Sequence, residues 1–245
     1  VVVEVGKNVS HLKVGDKVAL EPGTTCGQCE FCRSGKYNLC PDVVFWATPP
    51  VDGVFQEYVA HEAVFCHKLP DNMDTMEGAL IEPLAIGFHA ANRGGAHVGQ
   101  TAVVFGSGCI GLVSMMAAKA MGVSKMIVVD VMDKRLDKAL ELGADYVING
   151  AKEDAVAKIL ELTGGKGADL AIETAGTEIT TNQAIQAVKK GSTIVLVGYG
   201  KTGMINTMMS LALGKEVTLQ TIFRSRHLFP TAIEAVAAGK VNLKG

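Results

Sequence analysis

Apolar runs rich in β-branched residues recur through the second half of the chain, at 101–105, 126–130, 146–148, 170–173, 193–197 and 217–219. Between them lie stretches with helical spacing, at 110–121, 134–142, 155–162 and 181–190. Gly122, Gly143, Gly164 and Gly191 close these stretches, as helix C-caps often do. Near-continuous apolar strands alternating with helices predict βαβ units and a parallel sheet covered on both faces. Before residue 98 the pattern differs. Short runs at 1–5, 17–20, 55–60 and 63–68 are broken by Gly, Pro and Asp, and no long helical period appears. That spacing predicts an antiparallel β region, with turns at Gly15-Asp16 and Asp52-Gly53. No internal repeat stands out.

Composition narrows the reading. The 245 residues, 48% hydrophobic and 20% charged, suffice for one large domain or two modest ones and exclude wholesale disorder. Glycine is in excess, with 28 residues and no Gly-X-Y period, which points to tight turns and close backbone approaches. A net charge of −2 argues against general binding to nucleic acid or anionic membranes. Residues 1–97 carry 7 basic and 12 acidic side chains and residues 98–245 carry 16 and 13, so charge and pattern change at the same place. The opening residues lack a charged region followed by an apolar stretch, so no signal peptide is expected. An uncharged stretch, 101–118, has the length of a membrane span. Its three closely spaced glycines instead predict strand, turn and helix.

Four of the six cysteines, Cys26, Cys29, Cys32 and Cys40, form C-x2-C-x2-C-x7-C. Four thiolates on one short loop can surround a single ion, most commonly tetrahedral zinc, and an all-Cys site is closed and structural. Disulfides would need an oxidising compartment for which no targeting signal appears. Cys40-Pro41 echoes an iron–sulfur ending, but the last gap is seven residues where that pattern has three. Cys66 and Cys109 read as buried apolar side chains.

Gly106-Ser107-Gly108-Cys109-Ile110-Gly111 is G-x-G-x-x-G between a strand-like and a helix-like segment, the context a dinucleotide fingerprint requires. Gly106 permits the turn, Gly108 lets a pyrophosphate approach the backbone, and Gly111 allows helix to pack on strand. Ile110 belongs to the same cofactor-facing set. The second strand ends at Asp130, nineteen residues past Gly111, where a carboxylate accepts from ribose hydroxyls and repels a 2′-phosphate. NAD is therefore favoured over NADP, with Arg135 near enough to meet the adenosine.

These features, with Val14-Gly15-Asp16-Lys17-Val18, Ala47-Thr48-Pro49-Pro50, Lys68-Leu69-Pro70-Asp71-Asn72 and Gly78-Ala79-Leu80-Ile81-Glu82-Pro83-Leu84, resemble the zinc-containing medium-chain dehydrogenases. Within them the chain is similar to the sorbitol and xylitol (polyol) dehydrogenases. The resemblance implies an α/β protein: an incomplete, mainly β GroES-like catalytic domain with a structural zinc lobe at 1–97, and a doubly wound Rossmann domain at 98–230. Residues 231–245 would begin the return to the catalytic domain. It implies a catalytic-zinc role for Glu82, a substrate pocket with Phe45 and Arg224, and cofactor contacts at Thr174, Val197 and Gly198. Ser225 departs from the tyrosine common in the family. The family's other catalytic-zinc motifs, Gly-Ile-Cys-Gly-Ser-Asp and Gly-His-Glu, do not occur, and none of the six histidines stands at a ligand position. The chain as it stands is thus expected to hold one zinc and to turn over negligibly. The complete protein is expected to be a cytoplasmic homo-oligomer, a tetramer or dimer, that oxidises a small polyol to a ketose with zinc and NAD. Threonine or butanediol oxidation, or a non-catalytic NAD-binding module, are the alternatives.

Overall fold

Four short strands, β1 (Val18–Leu20), β2 (Gly23–Thr24), β3 (Val44–Phe45) and β4 (Cys66–Lys68), form two antiparallel pairs, β1 with β4 and β2 with β3. Gly23 opposes Phe45, and a Cβ there would lie 2.9 Å from the Phe45 ring, so the pairing depends on the absent side chain. These strands belong to a computed structural model that describes residues 1–200 and 203–244. Packing divides it into two units, Val1–Ala85 with Phe223–Lys244, and Ile86–Ile222. These divisions differ from the expected 97/98 and 230/231. The first falls inside a helix, α2 (Thr75–Arg93), that neither the charge change nor the apolar pattern marks.

In the first unit a short helix, α1 (Glu30–Arg33), lies within the cysteine loop. At the start of α2, Asp74 Oδ1 accepts from the Glu77 N–H at 2.9 Å and Glu77 Oε2 accepts from the Asp74 N–H at 3.0 Å. This reciprocal box satisfies donors that a helix start leaves unpaired. A closing helix, Phe229–Ala237, buries Phe229, Ala232, Ile233 and Val236. Two runs expected as strands are not. Residues 1–5 form no strand, and of them only Val2 makes backbone bonds, with Asp16 and Gly15. Residues 55–60 form no ladder, and Phe55 is fully exposed. A β-branched or aromatic run favours extended backbone, but a strand also needs a neighbour to bond. Residues 63–68 split into a 3-10 turn (Ala63–Phe65) and β4.

The second unit alternates β5 (Thr101–Phe105), α3 (Cys109–Ala120), β6 (Lys125–Asp130), α4 (Asp133–Glu141), β7 (Tyr146–Asn149), α5 (Ala155–Leu162), β8 (Ala168–Glu173), α6 (Glu178–Ala187) and β9 (Val188–Leu196). A helix the sequence pattern did not announce, α7 (Met209–Lys215), precedes β10 (Thr218–Thr221). The six strands are parallel in the order β10-β9-β8-β5-β6-β7. This is the doubly wound arrangement, with its switch point between β5 and β8. Gly122, Gly143 and Gly164 follow helix ends with positive φ as expected. Gly191 does not: it lies inside β9, beside a register shift against β8. Helix α6 is closed instead by Lys215, whose Nζ donates to the carbonyls of Ile185, Gln186 and Val188 at 3.0, 2.7 and 2.7 Å. Cys66 is half-buried and Cys109 exposed, so neither is the core residue expected. Cys109 is the first residue of α3. Among the described residues no helix is long and apolar enough to cross a membrane.

Candidate active site and metal centre

The cysteine lobe begins as a loop that wraps on itself. Gln28 to Arg33 turn tightly enough that Cys29 Sγ caps α1 by accepting from the Cys32 N–H at 3.4 Å. The Cys29 N–H reaches Cys26 Sγ at 3.3 Å and the Cys26 N–H reaches Cys40 Sγ at 3.5 Å. All four sulfurs lie within 4.8 Å of one another, with Cys26 to Cys40 at 3.6 Å and Cys26 to Cys32 at 4.0 Å. A tetrahedral zinc with bonds of about 2.3 Å requires sulfurs about 3.8 Å apart. The donor set therefore fits zinc in chemistry and size. Backbone N–H groups of Gln28 and Cys29 hold the Cys26 thiol down to about 7, which favours the thiolate a metal needs. Among the described residues this is the one group of three or more His, Cys, Asp or Glu that could hold an ion.

In the same unit a cleft is lined by Glu21, Asn38, Phe45, Glu82, Arg224 and Phe229, among others. Helix α2 delivers Glu82, one residue before Pro83. Burial, and then the nearby charge of Glu21, push its carboxyl above the ordinary value. The Arg224 guanidinium lies 4.1 Å from the Phe45 ring and 4.7 Å from that of Phe223. Arg224 has φ +54, and His227, three residues on, has φ +57. Non-glycine residues in this left-handed region cost about 1–3 kcal/mol each and persist only where their surroundings over-determine them. Glu21 is buried, and its carboxylate accepts from Tyr37 Oη at 2.8 Å and lies 3.4 Å from His67 Nε2. Burial keeps the Tyr37 hydroxyl protonated, as a donor.

The glycine fingerprint has the geometry its spacing calls for. Gly106 takes φ +92, and a Cβ on it would meet Thr174 Oγ1 at 2.9 Å. A Cβ on Gly111 would sit 1.9 Å from the Gly106 carbonyl oxygen, so only glycine lets α3 start this close to β5. A Cβ on Gly108 would meet nothing within 4 Å, and no side chain caps α3. A helix start without a side-chain cap is a place that can receive an anion. Thr174 Oγ1 donates to the carbonyls of Phe105 and Gly106 at 2.9 and 3.1 Å. The backbone of Gly198 runs so close to Gly176 that a Cβ would lie 2.2 Å from its nitrogen. These contacts gather the ends of β5, β8 and β9, the side of a parallel sheet where ligands bind.

Asp130, at the end of β6, is buried and accepts from Ser107 N–H at 2.7 Å, Val131 N–H at 2.8 Å and Met132 N–H at 3.0 Å. Burial opposes its charge, but these donors outweigh it and hold the carboxyl below the usual range. The carboxylate thus ties the fingerprint loop to the second strand, a role its position in the sequence did not disclose.

Two family models match the chain, the alcohol dehydrogenase GroES-like domain over residues 1–71 and the zinc-binding dehydrogenase over residues 109–238. Over 99% of its length the chain is 46% identical to YdjJ of Escherichia coli, an uncharacterized zinc-type alcohol dehydrogenase-like protein, and covers 70% of it. It is 41% identical to the sorbitol dehydrogenase of Bacillus subtilis, with 99% of this chain and 69% of that one covered. The chain belongs to the zinc-type medium-chain dehydrogenases, in their polyol group. A crystal structure of an Escherichia coli oxidoreductase/dehydrogenase of unknown specificity, involved in membrane biogenesis, superposes with a TM-score of 0.95 at 45% identity, over 99% of this chain and 70% of that one.

For a polyol-group dehydrogenase, the residues singled out in the sequence fall into three sets. Cys26, Cys29, Cys32 and Cys40 form the metal loop. Phe45, Glu82 and Arg224 meet in one cleft. Gly106, Gly108, Gly111, Asp130 and Thr174 meet around the fingerprint, with half-buried Ile110 in the first turn of α3 and half-buried Val197 and Gly198 just past β9. Arg135 is exposed, its Nη1 3.8 Å from Asp130 Oδ2. Two carboxylates of this dehydrogenase escaped the sequence reading. Glu21 carries no motif. Glu173, fully buried at the end of β8, accepts from the N–H groups of Ala175 and Gly176 and from Thr180 Oγ1. Burial pushes its carboxyl up, against those donors.

Proposed function

We propose that the complete enzyme reversibly oxidises a secondary alcohol of a polyol to a ketone, passing hydride to NAD. The observation that carries this reading is the convergence of Phe45, Glu82 and Arg224, far apart in sequence, on one cleft. A bound zinc supplies Lewis acidity to a substrate hydroxyl, and NAD, when bound, accepts the hydride. The Cys26–Cys29–Cys32–Cys40 loop would hold a structural zinc. Glu82 would be one ligand of the catalytic zinc; among the described residues the cleft offers no complete ligand set beside it.

The chain's own groups have these roles. Arg224, flattened between Phe45 and Phe223, presents N–H donors suited to vicinal hydroxyls. Phe45 keeps one wall of the cleft apolar. Gly108 and the uncapped start of α3 receive the pyrophosphate, and Val197 and Gly198 stand beside the nicotinamide. Asp130 supports NAD over NADP, since a carboxylate there repels a 2′-phosphate, and Arg135 lies within reach of the ribose. A homo-oligomer, dimer or tetramer, in the cytoplasm belongs to the same reading.

The test is a substrate panel on zinc-loaded full-length enzyme: sorbitol, xylitol, threonine and 2,3-butanediol, each with NAD⁺ or NADP⁺. Reduction of NAD⁺ with a polyol, faster than of NADP⁺, is expected, and Arg224→Ala should raise KM for that polyol. Turnover of threonine or butanediol alone would replace the polyol reading. Dinucleotide binding without turnover of any of the four would leave a non-catalytic module.

A further inference from the structure

The segment that carries Arg224 has two residues in left-handed backbone, φ +54 at Arg224 and φ +57 at His227, yet it contains no glycine. Something outside the segment must hold it. The partners are on the cysteine lobe, in residues 35–38, between the third and fourth cysteines. Asn38 is buried, and both ends of its amide are used on this segment. Its Nδ2 donates to the Phe223 carbonyl at 2.8 Å, and its Oδ1 accepts from Arg226 Nη1 at 3.0 Å. Tyr37 Oη accepts from the His227 N–H at 2.7 Å while donating to Glu21. The His227 ring packs edge-on against Tyr37 at 4.7 Å and lies 3.0 Å from the Gly35 carbonyl through Nε2. Four polar contacts therefore bracket Arg224, and all of them end on three residues of the metal loop, Gly35, Tyr37 and Asn38.

We propose that residues 35–38 are the positioning clamp of the substrate arginine, with Asn38 its central member. The lobe fixes the turn at 223–227, and the turn seats the Arg224 guanidinium between Phe45 and Phe223 in the cleft. The cysteine loop then has a task beyond its own stability, because ordering the loop by metal orders the clamp. Asn38 is a positioning residue that acts through Arg224. The consequence for substrate binding rests on the reading above that Arg224 meets the polyol.

The experiment uses full-length, zinc-loaded enzyme with Asn38→Ala and, from the other side of the contact, Arg226→Ala, which leaves the metal loop untouched. Amide hydrogen exchange at residues 224–227 should accelerate about tenfold in each variant, as expected when a buried polar group loses its partner. Zinc content should be unchanged. KM for the polyol should rise by a similar factor while KM for the dinucleotide stays put, and adding Asn38→Ala to Arg224→Ala should raise KM no further. Should Asn38→Ala lose zinc or fail to fold, Arg226→Ala alone decides. Unchanged exchange at 224–227 overturns the clamp, whatever happens to KM. Faster exchange with unchanged polyol KM supports the clamp and removes Arg224 from substrate binding, which overturns the substrate reading instead.

Discussion

In the unit that carries the glycine fingerprint, Ile194, Ala171, Val103 and Ile127 stand side by side across four strands, each fully buried, whereas among the described residues of the unit that carries the cysteines no strand exceeds three residues. The first is held by apolar burial spread over many positions, each worth about 1.5–3 kcal/mol for a large side chain. The second is held at a few points: the reciprocal Asp74–Glu77 box, Asn38 between Phe223 and Arg226, and the four sulfurs. Distributed stability tolerates the loss of one contributor. Concentrated stability does not, and that difference can be measured.

The largest effect should follow removal of the lobe's metal, because structural zinc in small peptides contributes on the order of 10–16 kcal/mol. The chain has one tryptophan, Trp46, whose backbone N–H donates to the Pro22 carbonyl at 3.0 Å and whose ring lies 4.0 Å from that of His61, within the cysteine-bearing unit. A strong chelator should shift Trp46 emission to the red and strip exchange protection from residues 26–40. The far-UV helix signal should persist, because among the described α-helices only the four-residue α1 lies within residues 26–40. Zinc loss shown by elemental analysis with Trp46 emission unchanged would mean that the lobe stands without its metal.

The same difference governs what the sequence discloses. Strands β5, β6, β8 and the second half of β9 are legible because burial on both faces leaves near-continuous apolar runs, whereas the first half of β9, with exposed Lys189 and Lys190, passes for the end of the 181–190 helical stretch. The fingerprint is legible because its glycines answer to backbone a few residues away. Asn38 is not, since its partners lie 185 and 188 positions away and an asparagine in a loop looks like any other. Glu173 hides for another reason. Its donors are the backbone N–H groups of the following turn, and nothing about Ala175 or Gly176 announces a buried carboxylate. Gly191 misleads because positive φ serves a strand irregularity as well as a helix end, and the cation that closes α6, Lys215, arrives from a helix the pattern does not show. The run at 1–5 misleads because β-branched residues say "extended" without naming a partner.

Within the nucleotide unit, the third glycine should be its most sensitive point. An alanine Cβ at Gly111 would lie 1.9 Å from the Gly106 oxygen and 3.0 Å from Thr174 Oγ1, so α3 and the turn that holds Thr174 must part. Gly111→Ala is expected to cost about 3 kcal/mol, the upper range for overpacking, and to abolish dinucleotide binding. The urea midpoint of the nucleotide unit measures the first, and calorimetric titration with NADH the second. Zinc content and Trp46 emission should not change. A Gly111→Ala protein that binds NADH normally would show that helix α3 does not need this close approach.

The smallest effect on stability should come from a neighbouring glycine, Gly108, and it separates fold from function. Helix α5 begins with Asp154, whose Oδ1 accepts from Val156 and Ala157 N–H at 2.9 and 3.0 Å, and α6 begins with Thr177, whose Oγ1 accepts from Thr180 N–H at 3.1 Å. Helix α3 begins with Gly108, which caps nothing. Yet Gly108 has φ −70 and ψ −174, ordinary for any residue, and open space where a Cβ would go. The fold gives no reason for a glycine here; a phosphate arriving at the start of the helix does. Gly108→Asp should therefore shift stability by only a few tenths of a kcal/mol, in the favourable direction, since aspartate is a preferred N-cap. Its carboxylate would take the donors and repel the anion, lowering NADH affinity at least about tenfold. Gly108→Ser, which takes a donor without adding charge, should fall between. If Gly108→Asp binds NADH as tightly as the parent enzyme, the pyrophosphate does not sit at this helix.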